Sequence, residues 1–282
     1  MYKINFEQPV HVHFIGIGGI SMSGLAEVLL EEHFTISGSD NKRSPLTEQL
    51  EKAGVTIFYG QKASNIIEGI DVVVYTAAIH ADNEEYQAAV QKGLPMLSRA
   101  ELLGQLMTNY DTPIAVSGTH GKTTTTSMLS HILLSAEMDP TISVGGILKA
   151  IGGNIRVGNS EIFLTEACEY TNSFLHFFPK IGVILNIDED HLDFFKDLAD
   201  IRHSFRKFAE LLPADGTLVI NGEIPELHEI TDGLACRVVT YGPDSSYDYS
   251  ATNILHDQIG EASFDFVKNG EFVTRIALSV NG

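Results

Sequence analysis

Short apolar runs alternate with amphipathic stretches along the first third of the chain. Val10 to Ile15 reads as an apolar strand that ends in the turn Gly16-Ile17-Gly18-Gly19. From Ser21 to Glu32 the apolar residues Met22, Leu25, Ala26 and Leu29 fall on one face at helical spacing. Phe34 to Ser37 is a second strand, closed by Gly38-Ser39-Asp40, and Pro45 to Ala53 a second helix. Strands at Val55 to Tyr59, Val72 to Tyr75 and Leu94 to Leu97 follow, with helices at Glu84 to Lys92 and Arg99 to Met107. Strands joined through helices predict a doubly wound parallel sheet, a Rossmann-like α/β domain.

The polar, proline-bearing segment Asn109 to Pro113 precedes a fresh β–loop–α unit and marks a domain boundary, giving domains 1–110 and 111–282. The second is predicted as a P-loop-type α/β domain. Its strands are Ile114 to Ser117, Ile162 to Thr165, Gly182 to Ile187 and Thr217 to Ile220. Its helices are Thr123 to Ser135 and Leu198 to Leu212, and a glycine-rich stretch runs from Val144 to Gly158. Ser263 to Val267 and Phe272 to Leu278 pair as a hairpin around Asn269-Gly270. An α/β domain that closes on Val280-Asn281-Gly282 without a helix reads as truncated.

The chain has 282 residues, 44% of them hydrophobic, and a formal net charge of −19. That charge excludes a nucleic-acid surface and an anionic membrane face, both of which need clustered Lys and Arg. Two cysteines imply no disulfide framework. The apolar run from Val12 to Ile20 is broken by glycines, so neither a signal peptide nor a membrane span is read, and the location expected is cytoplasmic. Anions must then be held by local devices.

Two such devices stand out. In Gly118-Thr119-His120-Gly121-Lys122-Thr123-Thr124 a strand enters a glycine turn, then a lysine, then hydroxyls that open a helix. That order cradles the phosphates of a nucleotide: Lys122 reaches the β/γ-phosphates and the Thr123 hydroxyl sits on Mg²⁺. The loop is shorter than the common P-loop, which has a glycine where Val116 stands. His120 is read as a contact to an anionic group. The other device is Gly16-Ile17-Gly18-Gly19-Ile20-Ser21, with Asp40 ending the next strand. It resembles a dinucleotide fingerprint in which glycines admit a pyrophosphate and the acid takes a ribose hydroxyl. A nucleotide-sugar or a nicotinamide dinucleotide would use the same parts. His11 and His13 alternate along a strand and read as structural.

In a parallel sheet the C-terminal strand ends share one edge. Lys122 and Thr123, then Glu166, then Asn186, Asp190, His191 and Asp193 each lie at or after the end of a predicted second-domain strand. They are expected around one crevice, with Thr123, Glu166 and His191 as metal ligands and Asn186 as a cofactor contact. Asn154, in the glycine-rich stretch, is a candidate hydrogen-bonding residue for substrate.

Together these residues resemble the Mur ligase family, ATP-dependent amide-forming enzymes of peptidoglycan precursor synthesis. The short loop Gly118 to Thr124, the run Phe14 to Ala26, Glu166-Ala167-Cys168-Glu169-Tyr170 and Asn186 to Asp193 carry the likeness over nearly the whole chain. The resemblance implies UDP-N-acetylmuramic acid and L-alanine as substrates. It implies ATP and Mg²⁺ as cofactors, with Lys122, Glu166 and His191 catalytic. The UDP-sugar would meet Gly16, Ile17, Gly18, Gly19, Ser39, Asp40, Thr76, Ala78, His120 and Asn154. A carbamylated lysine that some members of the family carry aligns with Phe205, so that metal ligand is expected to be missing. A third domain and a His-Asn motif, which the resemblance places past Gly282, imply a fragment that binds UDP-sugar, binds ATP weakly and ligates poorly. A homodimer stays open. The rivals are a ligase that attaches a recycled peptide to the same UDP-sugar, a nicotinamide-dependent dehydrogenase and a non-catalytic nucleotide-sensing module.

Overall fold

The computed structural model describes residues 2–281 and contains two sheets. The first is built from β1 (His11–Ile15), α1 (Ile20–Glu31), β2 (Thr35–Asp40), α2 (Pro45–Lys52), β3 (Thr56–Tyr59), β4 (Val72–Tyr75), α3 (Glu84–Gln91), β5 (Met96–Ser98) and α4 (Arg99–Met107). Its strands are all parallel in the order β3-β2-β1-β4-β5. The order reverses direction at β1, so the loop Gly16 to Gly19 lies at the switch point.

The second sheet begins with β6 (Thr112–Ser117), α5 (Lys122–Ser135), β7 (Thr141–Leu148), β8 (Gly153–Arg156), β9 (Ile162–Glu166) and β10 (Ile181–Ile184). It continues through α6 (Leu198–Glu210), β11 (Thr217–Asn221), α7 (Leu227–Thr231), β12 (Arg237–Gly242), β13 (Tyr249–His256), β14 (Glu261–Lys268) and β15 (Glu271–Asn281). The order is β15-β14-β13-β12-β11-β10-β6-β9-β7-β8. The middle is parallel, and antiparallel pairs close both edges. Asn269 and Gly270 both have positive φ, which suits the tight turn joining β14 to β15. The glycine-rich stretch from Val144 to Gly158, in which the sequence pattern marks no strand, forms most of the hairpin β7–β8. The strand expected to run to Ile187 ends at Ile184, because the chain turns there to meet the phosphate loop.

Local chemistry sets where the helices begin. Ser44, Asn83, Ser98 and Asp197 cap α2, α3, α4 and α6 through their side chains. Helices α1 and α5 begin after Gly19 and Gly121 with no side-chain cap and no acid in the first turn. Their N–H groups and dipoles are left for something else.

One apolar core runs through both sheets, from Val12, Phe14 and Leu29 to Phe163, Phe174 and Phe205. Tyr110 bridges them: its ring packs on Phe6 and Phe163, its hydroxyl donates to Thr141, and burial pushes the phenol up to about 12. Phe205, aligned with the carbamylated lysine, is fully buried edge-on against Phe174. Helix α4 meets the turn Tyr170–His176 so closely that a Cβ at Gly104 would stand 1.9 Å from the His176 carbonyl oxygen. Gly104→Ala must therefore separate the two layers, and an unfolding free energy lower by about 2 kcal/mol is expected in urea titration. A variant as stable as the parent would show that this contact yields freely.

Candidate functional site

The phosphate loop follows β6, the strand between β10 and β9. Gly118 has φ +143° and Gly121 +83°, and a Cβ on Gly118 would press on Leu185 at 2.9 Å. Glycine is therefore required for both backbone angle and space. The loop is braced from the end of β10. Asn186 Oδ1 accepts the His120 N–H at 2.8 Å and its amide donates to the His120 carbonyl at 3.1 Å. Thr119 Oγ1 accepts from the Asp188 N–H at 2.9 Å. Asn186 and Thr119, expected as cofactor contacts, thus have these groups engaged in shaping the loop. The first hydrogen bond of α5 runs from Thr125 N–H to Gly121 C=O. The N–H groups of Lys122, Thr123 and Thr124 have no partner within the helix and are left open to an anion.

Lys122 Nζ donates to the carbonyls of Gly118 at 2.5 Å and Thr119 at 3.1 Å and to Glu169 Oε2 at 2.9 Å. Thr123 Oγ1 donates to Glu166 Oε2 at 2.9 Å, and the Gly145 N–H donates to Glu166 Oε1 at 2.6 Å. An exposed hydroxyl and an oriented carboxylate are hard oxygen donors of the kind Mg²⁺ takes, so this pair fits that ion. His191 Nε2 lies 3.6 Å from Glu169 Oε1, and its ring packs on Tyr170 with centroids 4.5 Å apart. Lys122, Thr123, Glu166 and His191 therefore gather on one side of the sheet, as their strand-end positions require. His191 joins the group through Glu169. The sequence reading gave Glu169 no role, although it follows Glu166 by three residues on the same sheet edge.

The first loop differs from expectation. Gly16 and Ile17 N–H both donate to the Ser39 carbonyl at 2.9 Å, and the Gly18 N–H donates to Asp40 Oδ2 at 2.9 Å. The N–H groups assigned to a pyrophosphate are thus closed onto the end of β2, and this oxygen of the acid assigned to a ribose holds the loop. Ser39 is fully buried and its hydroxyl donates to Glu85, while the Ile17 side chain lies in the core. Neither side chain is open to solvent. Thr76 packs against Gly16. Ala78 lines a separate cavity of about 470 Å³ with Asn41, Gln61 and His80. The free donors at this switch point are those opening α1, at Ile20, Ser21 and Met22.

Ile20 and Ser21 border a cleft of about 300 Å³ between the two sheets. Ile20, Ser21 and Arg99 line one wall, and Gly145, Asn154, Glu166 and Cys168 the other. Asn154 donates to the Ile20 carbonyl at 3.3 Å across the junction. Arg99 donates to Ser21 Oγ at 3.1 Å and pairs with no carboxylate among the described residues. Burial pushes its guanidinium below the ordinary value, with Cys168 countering. Burial likewise pushes the Cys168 thiol up, reinforced by Glu169. Arg99 was missed in the sequence, though it directly follows a strand of the first sheet. Among the described residues, no helix is long and apolar enough to cross a membrane.

A family profile described as the Mur ligase family catalytic domain matches residues 11–111, and one described as the Mur ligase middle domain matches residues 116–282. A protein of Agathobacter rectalis named UDP-N-acetylmuramate–L-alanine ligase is 61% identical over 282 residues, covering all of this chain and 61% of that protein. A protein of the same name from Lachnospira eligens is 57% identical over 283 residues, covering all of this chain and 62% of its own length. The chain thus spans less than two thirds of these curated relatives. Among solved structures, a UDP-N-acetylmuramate:L-alanyl-γ-D-glutamyl-meso-diaminopimelate ligase from Neisseria meningitides aligns with TM-score 0.84 and 30% identity, over 98% of this chain and 89% of that one. A UDP-N-acetylmuramate–alanine ligase from Thermotoga maritima aligns with TM-score 0.78 and 29% identity, over 97% and 61%. By fold, by the geometry of its phosphate loop and by these matches, the chain belongs to the Mur ligase family.

Proposed function

We propose that the chain carries the UDP-sugar and MgATP sites of a ligase joining L-alanine to the lactyl carboxylate of UDP-N-acetylmuramic acid, in the cytoplasmic synthesis of peptidoglycan precursors. The observation that carries this reading is the shared cleft. The uncapped start of α1 and the unpaired Arg99 face Glu166 across one cavity. A diphosphate sugar held by the first wall would extend its carboxylate toward the nucleotide crevice.

A lactyl carboxylate oxygen attacks the γ-phosphorus of ATP, and the bridging oxygen leaves with ADP. The amine of L-alanine then attacks the acyl carbon, loses a proton, and inorganic phosphate departs. The protein's part is positioning and charge neutralisation. Lys122 exchanges its loop carbonyls for phosphate oxygens, and the first turn of α5 supplies N–H donors. Thr123 and Glu166 would hold Mg²⁺, which when bound neutralises phosphate oxygens. The choice of L-alanine follows the 61% and 57% identical relatives, whereas the peptide-adding structural neighbour stands at 30%. A dehydrogenase is disfavoured because Asp40 Oδ2 is tied to Gly18.

Thermal unfolding tests the proposal. At about one hundred times its Kd, UDP-N-acetylmuramate should stabilise the protein by about 2.7 kcal/mol, and MgATP likewise at its own multiple. NADH should leave the midpoint in place. Glu166→Gln should keep the UDP-sugar shift and lose most of the MgATP shift. Stabilisation by NADH and not by UDP-N-acetylmuramate would overturn the reading.

A further inference from the structure

Glu169 is a buried acid that the reaction as derived above does not use. Its side chain is 2% exposed, yet only Oε2 is hydrogen-bonded, to Lys122. Among the described residues Oε1 has no hydrogen-bond partner, and it stands 3.6 Å from His191 Nε2. A carboxylate oxygen left unpaired out of water is costly, so a fold that keeps one there keeps it for a donor that comes closer.

His191 is the neighbour placed to do so, and its surroundings restrict how it moves. Its ring packs on Tyr170, whose hydroxyl is anchored on Asp193 Oδ2 at 2.7 Å. Its backbone adopts φ +52°, and its N–H donates to Asp190 Oδ1 at 2.7 Å. With its face on Tyr170 and its backbone held, the ring presents Nε2 toward Oε1. Nδ1 points the other way, with Asp190 Oδ1 at 3.9 Å.

We propose that Glu169 is a positioning residue that links the phosphate lysine to His191. Oε2 sets the reach of Lys122. Oε1 accepts Nε2–H of His191, which fixes the tautomer whose lone pair lies on Nδ1, on the ring edge away from Glu169 and free for a cation. This deepens the MgATP reading of the crevice and rests on it. One buried carboxylate then feels both the cation side and the phosphate side, so the two affinities are coupled.

The test has two readouts. In nucleotide-free protein with ¹⁵N-labelled histidine, His191 should be the Nε2–H tautomer, and Glu169→Gln should abolish that preference. An unchanged tautomer in Glu169→Gln overturns the proposal, and this reading needs no nucleotide, so it stands apart from whether the chain binds ATP. With a fluorescent ATP analogue, Glu169→Gln should weaken binding about tenfold in Mg²⁺ and less than about threefold in EDTA. In a His191→Ala background, Glu169→Gln should have no further effect on the Mg²⁺ dependence. Equal losses with and without Mg²⁺, or additive losses in the double variant, would reduce Glu169 to a structural counter-ion and sink the link.

Discussion

Lys122→Met lowers the unfolding free energy by about 3 kcal/mol and removes the stabilisation by MgATP. The two effects have separate causes. Among the described residues, Lys122 Nζ is the only hydrogen-bond donor to the Glu169 carboxylate, which is 2% exposed. Removing the ammonium strands a buried negative charge, the most expensive way to break such a pair. The lysine side chain is itself 16% exposed, so solvent recovers part of the loss and places the figure at the lower end of the range for buried pairs. Nucleotide binding fails for another reason: no other cation among the described residues donates to the loop carbonyls of Gly118 and Thr119. The double variant Lys122→Met/Glu169→Gln separates the two. It should recover most of the stability in urea titration and none of the MgATP shift. A single variant as stable as the parent would mean that Glu169 carries no charge in the folded protein, and a retained MgATP shift would remove Lys122 from the phosphate site.

Much of this crevice was legible because its signals are local. Gly118, Gly121, Lys122 and Thr123 lie within one turn of chain, and a strand before and helix after them settle what the backbone does. Glu166 needed one further step, that parallel strands present their C-terminal ends on one edge. The first loop misled for the opposite reason. Its glycine spacing matches an open anion loop, but whether those N–H groups are open depends on β2, and there the Ser39 carbonyl and Asp40 carboxylate close them. The hairpin β7–β8 was hidden because glycines at 145, 146, 152 and 153 erase the apolar alternation that marks a strand. Its position is decided by pairing with β9. Glu169 and Arg99 share a different difficulty. One pairs with a lysine 47 residues away and the other reaches a serine 78 residues away, so no window of sequence contains both partners.

Glu85→Ala is expected to destabilise the first domain by about 3–5 kcal/mol, through a buried network remote from the nucleotide crevice. Glu85 and His13 are both fully buried, with Oε1 2.7 Å from Nε2. Oε2 accepts from the Ser39 hydroxyl at 2.7 Å, His13 Nδ1 meets Ser37 Oγ at 2.8 Å, and His11 Nε2 meets the same hydroxyl at 2.8 Å. One carboxylate on α3 thus closes a chain of polar groups across β1 and β2, and alanine would orphan two buried partners at once. Glu85→Gln keeps an acceptor and an amide of similar shape, so its cost should be nearer about 1–2 kcal/mol. The consequence reaches the loop before α1 through Ser39, whose carbonyl holds the N–H groups of Gly16 and Ile17. Once its hydroxyl is released, the end of β2 loosens and the start of α1 loses its setting. UDP-N-acetylmuramate should then bind Glu85→Ala more weakly than the parent, while MgATP affinity, set on the second sheet, should hold. Urea titration and thermal shifts with each ligand check both halves. Equal weakening of the two ligands would show that the domains do not respond separately, and an unchanged urea midpoint would show that the buried pair contributes nothing to the fold.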